Sequence, residues 1–221
     1  MKQILTIIFI LAVQFAFAQN FSYPKINSQG KDIESFIPSG WTLLDSAKGD
    51  LNNDKCEDVA LVIQCKDSVF DEDSILTQPR MLLIIFYNKA KKLYDLVEQN
   101  ESFILTNNEY CVEDPYRDIS ISSKGVLKVE FSFWNPSESA GNSYKFRYQN
   151  NEFVLIGADD TYIQRILGDF EETSYNFLTK KAKITTGNID NEQRNIVWKT
   201  IVLNELKTLK TFKHPFNCEI E

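Results

Sequence analysis

Apolar positions in this chain fall into short blocks rather than long helical stripes. Residues 59–64 and 81–87 are nearly unbroken aliphatic and aromatic runs, too short for a globular helix and rich in β-formers, so each predicts a buried strand. In residues 126–134, Leu127, Val129, Phe131 and Phe133 alternate with Lys128, Glu130, Ser132 and Trp134. That period of two marks an antiparallel strand with one face in a core. Further strands are expected over 41–46, 93–98, 119–122, 144–148, 153–158, 171–178 and 182–186. Turns fall at Asn88 to Lys92, Lys124-Gly125, Asn150-Asn151 and Thr179 to Lys181, and a polar loop spans 135–142. A short N-terminal helix is expected within 28–36, stopped by Pro38-Ser39-Gly40. Residues 195–212 fit neither period. Roughly nine or ten short strands at regular spacing predict an all-β domain of antiparallel strands, as a propeller-like meander or a sandwich.

The N-terminus changes the picture of where this domain works. Met1-Lys2-Gln3 precedes an apolar run from Ile4 that ends Ala16-Phe17-Ala18. A basic start, a short apolar stretch and small residues before the break predict a signal peptide over 1–18. The run is shorter than the ~20 residues a membrane-spanning helix needs. The expectation is an exported protein (periplasmic, cell-surface or secreted) with no membrane span after signal removal and a single β-rich domain over 19–221. The net charge of −7 disfavours nucleic acid as a partner. Four cysteines, Cys56, Cys65, Cys111 and Cys218, permit two disulfides in an oxidising compartment. Cys56 and Cys65 flank one predicted strand and disfavour direct pairing, so bridges from these two to Cys111 and Cys218, in either order, are expected, with free thiols as the alternative.

The stretch 50–58, Asp-Leu-Asn-Asn-Asp-Lys-Cys-Glu-Asp, leads straight into the first buried run. Oxygen-bearing side chains stand at loop positions 1, 3, 5 and 9 as Asp50, Asn52, Asp54 and Asp58, and Cys56 at position 7 can offer its backbone carbonyl. Alternate residues of a tight loop can aim oxygens at one point, and a hard cation such as Ca²⁺ takes six to eight oxygens at about 2.3–2.6 Å. Position 12 is Leu61, inside the strand, so the closing carboxylate and flanking helices of an EF-hand are absent. The second reading of the same residues is an Asx-rich turn closed by side-chain to backbone hydrogen bonds without a metal.

The segment GDLNNDKCEDVALVI resembles the calcium loop of the FG-GAP or VCBS repeats of integrin-type β-propellers, whose pattern runs D-x-N-x-D-G-x-x-D before an aliphatic strand. The whole chain is similar to small exported bacterial proteins carrying one such repeat and a β-rich tail of the kind seen in YKFRYQNNEFVLIG and SYNFLTKK. The resemblance implies a structural Ca²⁺ within about 45–64, held by Asp50, Asn52, Asp54 and Asp58 through side chains and by Cys56 through its carbonyl. Glycines often seen at the fourth and sixth loop positions are Asn53 and Lys55 here. A lysine held at positive φ would cost roughly 1 kcal/mol or more and weaken the site. The motif occurs once, against its repetition in every blade of a full calcium-studded propeller.

No GxSxG, HExxH, Walker or dinucleotide-binding glycine pattern occurs, and the one histidine, His214, lies close to the C-terminus. Carboxylate neighbours such as Glu113/Asp114, Asp159/Asp160 and Glu171/Glu172 point to opposite faces of a strand, so an acid/base pair would have to come from separate loops. Trp134, and Tyr116 beside Arg117, offer an aromatic platform for a glycan or protein partner. The sequence therefore favours a calcium-stabilised binding or interaction module, with a carboxylate-dependent, glycosidase-like hydrolase as the alternative.

Overall fold

Residues 21–71, 74–107 and 112–212 are described by the computed structural model. The chain forms strands β1 (Gln29–Gly30), β2 (Trp41–Gly49), β3 (Asp58–Cys65), β4 (Val69–Phe70), β5 (Leu76–Thr77), β6 (Arg80–Asn88) and β7 (Leu93–Asn100). The second half adds β8 (Tyr116–Ile121), β9 (Val126–Trp134), β10 (Glu138–Gln149), β11 (Glu152–Gln164), β12 (Asp169–Asn176), β13 (Lys181–Asn188) and β14 (Arg194–Thr200). They build a five-stranded sheet in the order β1-β7-β6-β3-β2 and a seven-stranded meander running β14 to β8, with β4 and β5 a small separate hairpin. All pairings are antiparallel. The expected all-β class holds, as two sheets sharing a core. The expected helix within 28–36 is replaced by β1 and a single 3-10 turn, Ile33–Phe36, whose start is capped by Asp32 accepting from Ser35 N at 3.0 Å.

The continuous apolar runs have a direct cause. In the five-stranded sheet, Val59, Leu61 and Ile63 of β3 and Met81, Leu83 and Ile85 of β6 face a cluster closed by Ile26, Phe36 and Trp41. The intervening Ala60, Val62, Leu82 and Ile84 face the opposite way, into the core shared with the large sheet. Both faces are covered, so the middle of each strand, 59–63 and 81–85, has no position for a polar side chain, and the polar residues stand at the strand ends.

The large sheet gives alternating strands because only one face meets that core. Leu127, Val129 and Phe131 of β9 enter it, as do Tyr144 and Phe146 of β10 and Phe153 and Leu155 of β11. Asn150 and Asn151 turn the β10–β11 hairpin at φ of 54° and 62°, the left-handed conformation Asn holds at low cost. Strand β10 starts at Glu138, so 138–142, most of the expected polar loop 135–142, is strand; Asn135 Oδ1 caps the turn before it by accepting from Ser137 N and Glu138 N.

Two polar side chains tie the halves together. Asn100 Oδ1 accepts from Phe103 N at 2.8 Å, and its Nδ2 donates to the Leu209 carbonyl at 2.9 Å. This holds Phe103 with its ring 5.3 to 5.8 Å from those of Phe131, Tyr144, Phe146 and Phe212. Arg80, only 2% exposed, donates to both carboxylate oxygens of Asp114 (2.8 and 2.5 Å), to Gln64 Oε1 and to the Leu105 carbonyl. Burial alone would raise the Asp114 carboxyl; the hydrogen bond and charge of Arg80 overcome this and hold it below the ordinary value.

Replacing Asp114 by Asn leaves the Arg80 guanidinium buried without a counter-charge. The expected loss is about 3 kcal/mol, the low end for breaking a buried pair because Asp114 is partly solvated. Urea unfolding of the variant measures it. With Asp114 lowered in the folded state, its contribution is present above the unfolded carboxylate value of about 4 and is lost as pH falls through the folded one, so the deficit of the variant shrinks in acid.

Candidate functional site

Strands β2 and β3 pair down to Gly49 opposite Asp58, which closes the loop 50–57 at its neck. Within it, Asp50 Oδ1 accepts from Asp54 N (3.1 Å) and Oδ2 from Lys55 N (2.9 Å). Asn52 Oδ1 also accepts from Asp54 N (2.9 Å), and Asp54 Oδ1 accepts from Cys56 N (2.7 Å). Asn52 Nδ2 donates to Asp54 Oδ2 at 3.1 Å. Asn53 and Lys55 lie at φ of 63° and 67°. These are the two positions where the resembled repeat carries glycine, and the lysine is held in the left-handed region anticipated for it. The loop lies against the β8–β9 turn: a Cβ on Gly125 would stand 2.6 Å from the Asp50 carbonyl oxygen.

Asp58 is the anchor. Its side chain is 0% exposed; Oδ2 accepts from Leu51 N (2.9 Å) and Oδ1 from Tyr87 N (3.0 Å), so one carboxylate joins the loop to β6. Desolvation pushes its pKa up to about 6 despite these donors, and the Asp54 charge adds to the rise. A raised carboxyl favours the folded state below about pH 4, and that contribution is lost as pH rises through about 6.

The structure thus gathers Asp50, Asn52 and Asp54 around the Asp54 amide, and sets Asp58 behind them against Leu51 and Tyr87. Every side-chain oxygen of these four residues receives an N–H, which is the hydrogen-bonded Asx turn. Each oxygen retains a second lone pair, the capacity a hard cation would use. Among the described residues, no three His, Cys, Asp or Glu side chains are grouped closely enough to hold a metal by themselves, so a cation here would draw on the Asn52 amide and backbone oxygen and pull the acids inward. Cys56 and Cys65 are both free thiols, so neither expected bridge from them is formed and the free-thiol alternative describes these two; Cys111, Cys218 and His214 lie outside the described residues.

The other candidates divide. Tyr116 is buried and donates to Asp45 Oδ2 at 2.8 Å, so it is a core residue rather than part of an exposed platform. Trp134 is exposed, with the Arg165 guanidinium 4.8 Å from its ring centroid. Glu113 pairs with Arg117 and Asp114 with Arg80. Asp159, on the outer face, pairs with Lys145 at 2.5 Å and accepts from Ser143 and Ser174. Asp160 faces the other way into an open cavity of about 480 Å³ that Glu171 of the neighbouring strand also lines, together with Phe133, Asn142 and Tyr162. Burial raises the Asp160 carboxyl against the lowering by its 2.6 Å hydrogen bond from Asn142, and Asp159 raises it further. Nothing local in the sequence marks Asp160 and Glu171 as cavity mates; the register does, placing Asp160 opposite Thr173 and Tyr162 opposite Glu171.

Compared with known proteins, the chain matches no family model, no curated protein and no solved structure.

The backbone angle at Lys55 yields a direct test. Glycine carries no penalty at φ 67°, so Lys55→Gly should stabilise the protein by up to about 1 kcal/mol, whereas β-branched Lys55→Val should destabilise it by more than that. Thermal unfolding of both variants checks the order.

Proposed function

We propose that this chain is an exported, calcium-stabilised β-module that acts by binding a partner. The observation that carries the reading is the loop backbone: Asn53 and Lys55 adopt positive φ where the resembled calcium repeat has glycine, while Asp50, Asn52 and Asp54 turn their oxygens into one turn above the buried Asp58. Calcium would serve as a structural cross-link, neutralising carboxylates that repel one another and relieving the desolvation of Asp58. A signal-like segment at residues 1–18 supports export. A binding role fits a scaffold whose cavities open on sheet faces, and the partner class proposed is a glycan or a protein. Among the described residues, no helix is long and apolar enough to cross a membrane.

Thermal unfolding of the mature protein in millimolar Ca²⁺ and in chelator tests the calcium claim. A site near 100-fold saturation should add roughly 2.7 kcal/mol, and Asp54→Ala should abolish the increment. A folded wild-type protein with the same melting temperature in both media contradicts it.

A second reading, a carboxylate-dependent hydrolase, has one observation in its favour: Asp160, with its carboxyl raised, and Glu171 line one cavity beside Phe133 and Tyr162. A raised carboxyl suits a general acid, the role this reading gives Asp160, and a second carboxylate in the same cavity supplies the base or nucleophile. On this reading the protein depolymerises a glycan, and Glu171→Gln and Asp160→Asn each reduce turnover at least 100-fold without unfolding the protein. Reducing-end assays on polysaccharide panels decide it: no release by the wild type removes the hydrolase.

A further inference from the structure

The outer face of the large sheet carries a second cavity, at its β12–β14 edge and on the side away from the core. Antiparallel register places Ser174, Lys183 and Trp198 in one row across three strands, and Asn176, Lys181 and Thr200 in the next. Directly opposed residues share a face, so both rows present to the same side. Ser174, Asn176, Thr179, Lys181, Lys183 and Trp198 line a cavity of about 620 Å³. The indole is 63% exposed, far from the packing expected of a core tryptophan.

The patch carries positive charge. The chain carries a net −7, yet two lysines stand beside the tryptophan, and among the described residues neither forms an ion pair. The nearest acid along the first row, Asp159, is already neutralised by Lys145 and hydrogen-bonded to Ser143 and Ser174. Glu172, two residues before Ser174 on the same face, pairs with neither lysine among the described residues, so the lining offers a flat aromatic face, two ammonium groups outside any ion pair, two hydroxyls and an amide.

We propose that this face binds an anionic carbohydrate, a polysaccharide bearing carboxylates or sulfates. A sugar ring lays its apolar C–H face on the exposed indole, an amphipathic ring suited to ligands with one apolar side. Its acidic groups meet Lys181 and Lys183 as charge-assisted contacts, and its hydroxyls exchange hydrogen bonds with Ser174, Asn176 and Thr179. The position at the sheet edge leaves an extended polymer free to run past the site in both directions. An acidic peptide would use the lysines but leave the ring of polar donors and acceptors around the indole unused. Single-stranded nucleic acid also stacks on aromatics, but it is held by a long basic groove, whereas two lysines on an acidic protein give a short one. The proposal rests on the binding-module reading and names its ligand class.

Affinity electrophoresis of the folded mature protein through native gels containing polygalacturonate, dextran sulfate or neutral dextran tests it, with a single-stranded oligothymidylate competitor. The wild type should be retarded by polygalacturonate, dextran sulfate or both, which identifies the anion, and not by dextran. Trp198→Ala and the double variant Lys181→Gln/Lys183→Gln should each weaken retardation at least 10-fold. Lys66→Gln, an exposed lysine directly after β3 of the five-stranded sheet, should leave it unchanged. No retardation of the wild type by either acidic polymer overturns the proposal. Equal retardation of wild type and both site variants overturns this site while sustaining a binding module. Retardation by dextran as strong as by the acidic polymers, or displacement by the oligonucleotide at equal mass, overturns the anionic-carbohydrate assignment.

Discussion

A buried carboxylate with no basic partner among the described residues governs the architecture around the loop. Asp58 begins β3, a strand covered on both faces, and its side chain has no access to solvent. Two backbone N–H groups, from Leu51 and Tyr87, supply the compensation a buried anion requires. Satisfying Asp58 therefore fixes the path of the loop at Leu51 and its seating on β6 together. Leu51, fully buried, is drawn under the loop into the shared core, and Gly125 closes over the Asp50 carbonyl from the large sheet. The polar loop and the apolar core are two consequences of the same anchoring.

From that anchor the two sheets take different roles. The five-stranded sheet is enclosed between the N-terminal segment and the large sheet, so its central strands have no free face. The large sheet extends past the core. Its far end exposes one open cavity on the inner side, where Asp160 and Glu171 meet, and a polar outer side on which Trp198 stands clear. Strand β14 is exposed along its whole length, and Arg194 and Lys199 on it oppose edge-to-edge pairing between copies. Arg194 also folds back over Phe170, its guanidinium 4.5 Å from the ring centroid, partly covering an aromatic that the core does not reach.

Local chemistry made much of this legible in the sequence. The runs at 59–64 and 81–87 read as buried strands because two-sided burial leaves no polar position, and 126–134 read as half-buried because one-sided burial imposes alternation. The left-handed loop positions were also expected, because Asn53 and Lys55 stand where the pattern that the loop resembles often has glycine, and both lie at positive φ. What escaped depends on contacts between distant residues. Glu138 to Asn142 looks like loop by composition, yet β9 and β11 flank it and draw it into the sheet. Tyr116 looked like a surface aromatic because its partners, Asp45 and Phe131, are remote in sequence. Arg80 stands at the head of an apolar run, a position that could have signalled a buried charge, but its partner Asp114 lies 34 residues on. The Trp198 face was invisible for the same reason, since its lysines and hydroxyls come from three strands.

The most direct measurement of the central claim is a crystal structure of residues 19–221 grown with calcium. The account predicts one ion bound by Asp50, Asn52, Asp54 and Asp58 side-chain oxygens and the Cys56 carbonyl at about 2.3–2.6 Å, with Asn53 and Lys55 still at positive φ. A loop that keeps its hydrogen-bonded turn at millimolar calcium, with only water against the carboxylates, contradicts it.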